Sequence, residues 1–141
     1  MSIPLWVLLG FAVWTLAVLS ATIGVYRWFS ILTGRTTIGE WHADQPQAAD
    51  WYRRATRAHM NCIENLPVYG AIVVCASAVG AKGNFLDALA LALIAARVCQ
   101  TVVHIAFAQT DLVVSVRFTA FSVQLICVIA MGISVALLAA Q

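Results

Sequence analysis

The residues best able to do chemistry gather in one short stretch, Arg53-Arg54-Ala55-Thr56-Arg57-Ala58-His59-Met60-Asn61-Cys62-Ile63-Glu64-Asn65-Leu66-Pro67. Read as a helix at about 100° per residue, Arg54, Arg57, Asn61, Glu64 and Asn65 share an arc of roughly 100°. Steps of three and four residues make them neighbours. Such a face offers guanidiniums to carboxylates, a carboxylate to an ammonium and an amide to a peptide bond. That is the donor and acceptor set a zwitterionic, peptide-like ligand requires. The same groups can also be satisfied internally, with Glu64 pairing with Arg57, Arg97 or Arg117 to fix helix packing. Spacing alone is compatible with both. Arg53 and Arg54 also fit a purely topological role as charges at a membrane face.

Further along the chain, Arg97, Gln100 and His104 recur at spacings of three and four, and Arg117 opens a long apolar run. Other chemistry finds little support. Cys62, Cys75, Cys99 and Cys127 lie in apolar segments without a C-x-x-C pair, and read as reduced, packed small hydrophobes. His42, His59 and His104 show no metal spacing, so no metal site is expected. Axial haem ligation by His59 and His104 is set aside on the same ground. There is no glycine-rich phosphate loop, Ser-His-Asp set or nucleophile elbow.

The elements that must position these groups follow from composition. The chain has 141 residues, 62% of them hydrophobic and 10% charged. Its mean hydropathy is +0.91. Soluble domains are about 45–50% apolar and about 25% charged. These values exclude a disordered chain, a disulfide-rich secreted module and an ordinary soluble enzyme. A net charge of +2 on eight basic residues also argues against a nucleic-acid binder. Since about 20 apolar residues cross a bilayer core, four spans are predicted: about 5–26, 62–81, 86–108 and 118–140. The first lacks the basic flank and cleavage pattern of a signal peptide, so it reads as a span. Trp6 and Trp28 bracket it as interface anchors, and Trp41 and Trp51 are expected to hold the link on the membrane.

The expected architecture is all-α, a single integral membrane four-helix bundle over residues 1–141. The second helix is expected to start near Gln47 and to bend at Pro67. Residues 30–61 form the long polar link and carry most of the charge. The arginines there predict that the first and third links are cytoplasmic and both termini lie on the opposite side. Arg57, Asn61, Glu64, His104 and Arg117 then fall near the cytoplasmic helix ends, with Arg97 deeper.

Arg57, Ala58, Asn61, Glu64 and Pro67 reproduce the pattern R-A-x-x-N-x-x-E followed shortly by P. In this the chain resembles the MAPEG superfamily, the membrane-associated proteins in eicosanoid and glutathione metabolism. Arg54 and His59 make it look most like the microsomal glutathione transferase and prostaglandin E synthase branch. The resemblance covers the whole chain in layout and about fifteen residues in strong motif. Weaker matches run through Ala96-Arg97 and through Arg117 followed by Phe121.

The resemblance implies a homotrimer that binds glutathione between subunits at the cytosolic side. Arg57, Asn61 and Glu64 would hold the tripeptide, with Arg54 and His59 as helpers. Arg117 corresponds to the arginine that stabilises the glutathione thiolate in catalytic members. Gln100 and His104 stand where eicosanoid members carry glutathione-contacting tyrosines. The implied activity is a glutathione-dependent transferase or peroxidase acting on a lipophilic electrophile or hydroperoxide. The alternative is a non-catalytic lipid-binding scaffold of the same fold, which the missing tyrosines favour and Arg117 disfavours. A four-span multidrug transporter fits poorly, because Leu5 to Tyr26 lacks the carboxylate that proton coupling needs.

Overall fold

The computed structural model describes residues 1–41 and 49–140. His42, Asp44, Pro46 and Gln47, placed in the link or at the start of the second helix by the sequence, lie outside the described residues. Four long helices account for most of the chain: α1 (Ile3–Leu32), α2 (Asp50–Ala78), α3 (Asn84–Ala106) and α4 (Asp111–Ala139). They run alternately up and down, with tight turns between α2 and α3 and between α3 and α4. No strand occurs among the described residues.

Three helices, α1, α3 and α4, are long and apolar enough to cross a membrane. The α2 helix is set apart by its charges. It carries Asp50, Arg53, Arg54, Arg57 and Glu64, and becomes apolar only in its second half. Pro67 lies inside α2 without ending it.

Two helix boundaries differ from the sequence expectation. The first helix continues past Tyr26 to Leu32, so Arg27 is helical and the irregular link is shorter than expected. Between Leu19 and Gly24 this helix widens to π geometry, where the Thr22 hydroxyl donates to the Val18 carbonyl. The fourth helix starts at Asp111, not near residue 118. Thr110 caps it by accepting a hydrogen bond from the Val113 amide at 3.3 Å, and Asp111 suits the positive end of the helix dipole. Counting only charge-free residues misses this start, because capped helix ends tolerate charge.

The core is contributed by all four helices: Val7 and Phe11 from α1, Cys62, Tyr69 and Val73 from α2, Leu86, Ala90 and Leu93 from α3, and Cys127 and Met131 from α4. The Tyr69 hydroxyl donates to the Pro4 carbonyl at 3.1 Å and ties α2 to the start of α1. The cysteines divide. Cys62 and Cys127 are buried as expected, whereas Cys75 and Cys99 are exposed on the outer faces of their helices. Long apolar side chains such as Leu16, Ile126, Ile133 and Leu137 also point outward. In water this would be an aggregation hazard, but in lipid or against another subunit it is the expected surface.

The two ends of the bundle are unlike. Arg27, Arg35, Arg53, Arg54, Arg57 and Arg117 cluster at the end formed by the start of α2, the start of α4 and the ends of α1 and α3. Lys82 is the basic side chain of the opposite end. The charged end is braced by aromatic rings. Tyr26, Trp41, Trp51 and Tyr52 pack with centroid separations of 4.7–6.3 Å. Arg27 donates through Nε to the Tyr52 hydroxyl at 2.7 Å and lies 5.3 Å over the Trp41 ring. Trp41 and Trp51 therefore pin the link to α1 and α2, while Trp6 and Trp28 are exposed on α1.

Candidate functional site

The polar stripe of α2 faces two adjoining clefts. The smaller, of about 280 Å³, is lined by Asn61, Glu64 and Asn65 of α2, Gln100 of α3, and Val114, Arg117, Phe118 and Phe121 of α4. The larger, of about 520 Å³ and nearer the charged end, takes in Arg54, Arg57, His104 and again Arg117. Arg117 belongs to both and joins them. Three helices thus place Arg54, Arg57, Asn61, Glu64, Gln100, His104 and Arg117 around a depression made up of these two clefts, with Arg117 common to both.

Local structure explains each placement. Arg54, Arg57, Asn61 and Glu64 lie on one side of α2 because of their three- and four-residue spacing. Arg54 donates through Nε to the Ile105 carbonyl at 3.3 Å, satisfying one of the free carbonyls at the end of α3. Asn65 donates back to the Asn61 carbonyl at 2.7 Å, which leaves the Asn61 side chain turned to the cleft. Arg117 is half-buried in the second turn of α4, and Phe118 and Phe121 form an aromatic rim beside it.

Glu64 is exposed and makes no ion pair. Among the described residues the one ion pair is Arg53–Asp50, on the surface. Neutralisation of Glu64 by an ion pair with Arg57, Arg97 or Arg117 is therefore not made among the described residues. At the outer edge, a hydrogen bond from Arg53 and its charge hold the Asp50 carboxyl below the usual carboxylate range. Arg53 and Asp50 thus cancel one another, and Arg54, Arg57 and Arg117 are left as the cations of the depression.

His59 stands apart. It lies on another face of α2, is buried, and looks toward the Thr15 backbone of α1. It lines neither cleft. Its spacing already shows this, since His59 follows Arg57 by two residues. Arg97 is fully buried, with its guanidinium 5.4 Å from the Phe11 ring and Nη1 donating to Gln100 Oε1 at 3.1 Å. Arg27 and Arg35 are engaged elsewhere, Arg27 with Tyr52 and Trp41 and Arg35 over the Phe29 ring.

Sequence reasoning missed Val114 and Phe118 as lining residues, and missed Gln124 altogether. The signal for part of the rim was present, because Phe121 follows Arg117 by four residues on α4. The arrangement as a whole can hold two anionic groups and one cationic group of a polar ligand, and an apolar reactant can approach across the phenylalanine rim.

Comparison with known proteins agrees with this reading of the fold. Neither a curated protein nor a solved structure matches the chain. The family model described as MAPEG family matches residues 4–137, nearly the whole length. A bundle of four helices, three of them apolar enough to span a bilayer, together with that match, identifies the chain as a membrane protein of the MAPEG family.

Proposed function

We propose that this protein is a glutathione-dependent membrane transferase or peroxidase, with Arg117 stabilising the thiolate. The observation that carries the reading is the unpaired Glu64 carboxylate, which shares the smaller cleft with Asn61 and Arg117, with Arg57 two turns away on the same helix in the adjoining cleft. Charge complementarity adds to it. Over the two clefts together, three guanidiniums, from Arg54, Arg57 and Arg117, accompany one unpaired carboxylate, leaving a surplus of two positive charges. Glutathione as a thiolate has two carboxylates, one ammonium and one sulfur anion, so it carries two negative charges. The depression therefore matches the ionised ligand better than the neutral thiol.

In this reading Arg54 and Arg57 take the carboxylates, Glu64 takes the ammonium and Asn61 takes a peptide bond. His104 adds a hydrogen-bonding edge to the larger cleft. A free thiol has a pKa near 8.5, and a guanidinium beside it in a poorly hydrated site lowers that value. The gain is a larger thiolate fraction at neutral pH. The sulfur then bonds to an electrophilic carbon and the leaving group departs with its electron pair. With a hydroperoxide, the sulfur bonds to the terminal oxygen and the alkoxide leaves, taking up a proton. The thiolate of a second glutathione then attacks the sulfur of the resulting sulfenic acid and displaces hydroxide, which takes up a proton as water, to give the disulfide.

The exposed position of both clefts supports an assembly in which a neighbouring subunit closes them, a homotrimer as the resemblance implies. The clustered arginines support a cytoplasmic charged end, with both termini across the membrane. The non-catalytic lipid-binding scaffold has one observation in its favour. The Gln100 amide is engaged by protein groups and does not replace the tyrosine of eicosanoid members.

The test uses protein purified in detergent. Glutathione is expected to raise its melting temperature and to produce thiolate absorbance near the ultraviolet edge. Arg117→Ala is expected to lose the absorbance. Wild type that shows neither stabilisation by glutathione nor conjugation of a reactive aryl halide would remove the reading. Glutathione binding without turnover of an aryl halide or a lipid hydroperoxide would favour the scaffold.

A further inference from the structure

Behind Arg117 lies a buried polar network in which Gln124 and Arg97, which line neither cleft, meet Gln100 at the wall of the smaller one. Gln124 of α4 is 2% exposed, Arg97 of α3 is 1% exposed and Gln100 is 7% exposed. Gln100 Oε1 accepts two hydrogen bonds, one from Arg97 Nη1 and one from Gln124 Nε2, each at 3.1 Å. Gln124 Nε2 gives its other proton to the Ala120 carbonyl at 2.8 Å. With two donors converging on its oxygen, the Gln100 amide has a single favourable orientation. In that orientation its nitrogen faces the Arg117 carbonyl and donates to it at 3.3 Å.

We propose that Gln124 and Gln100 are positioning residues for Arg117, a role that rests on the reading of Arg117 given above. Gln124 lines neither cleft, so it has no contact with a ligand there. Its effect passes through Gln100. Gln124 and Arg97 together orient the Gln100 amide, and that amide clamps the second turn of α4 against α3 at the level of the Arg117 backbone. The guanidinium of Arg117 is then carried on a turn fixed from behind. A thiolate-stabilising cation needs this, because its Coulombic benefit falls with distance and with water entering the gap. Gln124 Oε1 and Arg97 Nε and Nη2 have no partner among the described residues, so the network holds Gln100 through the two bonds to its Oε1, and loss of either loosens that amide.

The network also explains why α4 can begin at Asp111 and still present Arg117 reproducibly. The Thr110 cap fixes the first turn and the Gln100 clamp fixes the next.

The test compares wild type with Gln124→Met, which has similar volume and no amide, in detergent. Two measurements are made. The first is amide hydrogen exchange across residues 113–121, which reads the clamp with or without glutathione. The second is the pH titration of thiolate absorbance with glutathione bound. Exchange in that segment is expected to rise about tenfold in Gln124→Met, the scale of one lost buried hydrogen bond, with the far end of α4 unchanged. The thiolate titration is expected to move up by about one pH unit while the glutathione Kd changes little, a split that a general loss of stability would not produce.

Gln124→Asn keeps the amide but shortens its reach, and is expected to give the same two shifts in smaller measure if Gln124→Met does not fold. The double variant Gln100→Met/Gln124→Met is expected to shift no further than Gln100→Met alone, since both act through one amide. Unchanged exchange over residues 113–121 would overturn the proposal. So would an unchanged thiolate titration in a variant whose exchange has risen. If wild type shows no thiolate signal, the functional reading fails and the catalytic half of the proposal with it. The exchange measurement then decides the clamp on its own.

Discussion

Glu64 shows how an isolated charge acquires meaning from its surroundings. A carboxylate on a helix of this kind is costly unless it faces protein, water or a ligand. Here it faces a cleft and pairs with nothing among the described residues. Glu64→Gln keeps the shape and removes the charge. On the proposed reading it weakens glutathione binding by about 10- to 100-fold, the scale of a hydrogen bond to a charged group, as measured by calorimetric titration. The melting temperature of the unliganded protein is expected to stay within a few degrees of wild type. A packing counter-ion would behave in the opposite way, with melting lowered and binding unmoved. Arg117→Lys separates charge from shape at the second key position. The ammonium keeps a positive charge but loses the planar fork, so the thiolate titration is expected to fall between wild type and Arg117→Ala. The exposed Asp50–Arg53 pair is a contrasting case. Arg53 lowers the Asp50 pKa in the folded state, so any stabilisation is present above the ordinary carboxylate pKa and is lost as the pH falls through the lowered value. Since Asp50 is fully exposed, Asp50→Asn is expected to leave melting at neutral pH unchanged within error.

At the scale of elements, the helices are held by a few polar fasteners set in an apolar core. Tyr69 is fully buried and its hydroxyl reaches the Pro4 carbonyl, so Tyr69→Phe is expected to cost about 1 kcal/mol in reversible detergent unfolding. Thr110→Val removes the cap of α4 and is expected to cost a similar amount, about 1 kcal/mol, with fraying confined to the first turn. What the sequence disclosed at this scale follows from the strength of each signal. The charge-free runs of α1, α3 and α4 were legible because lipid demands them. The polar stripe of α2 was legible because helical spacing brings Arg54, Arg57, Asn61 and Glu64 to one side whatever the tertiary structure. The start of α4 was not, since Asp111 and Arg117 break a hydropathy run while a cap and a clamp make them helical. The π turn at Leu19–Gly24 was also hidden, because it leaves the apolar pattern almost unaltered. Gln124 was hidden for another reason. A single amide in an apolar helix gains its role only from a partner twenty-four residues away in sequence, Gln100, which meets it through the packing of α3 on α4.

At the scale of the whole molecule, a single chain leaves its clefts open. Phe118 is 69% exposed beside Arg117, and the outer faces of α1 and α4 expose rows of leucine, isoleucine and valine. Some of those rows can face lipid. The clefts cannot be treated the same way, because arginines and a carboxylate open to acyl chains would be severely desolvated. In the proposed assembly a neighbouring copy would resolve this by walling off the lipid while leaving the charged end open to water. On the proposed homotrimer, light scattering in detergent, corrected for bound detergent, is expected to give the mass of three 15.2 kDa chains. Phe118→Arg is a local test of the same assembly. If Phe118 meets a neighbouring subunit, an added cation there is expected to shift the mass toward the single chain and abolish glutathione binding together. If Phe118 faces only lipid or water, the mass is unchanged. A wild-type protein that remains a single chain in detergent and still binds glutathione with full affinity would show that one bundle completes the site alone, and the subunit-interface placement would be wrong.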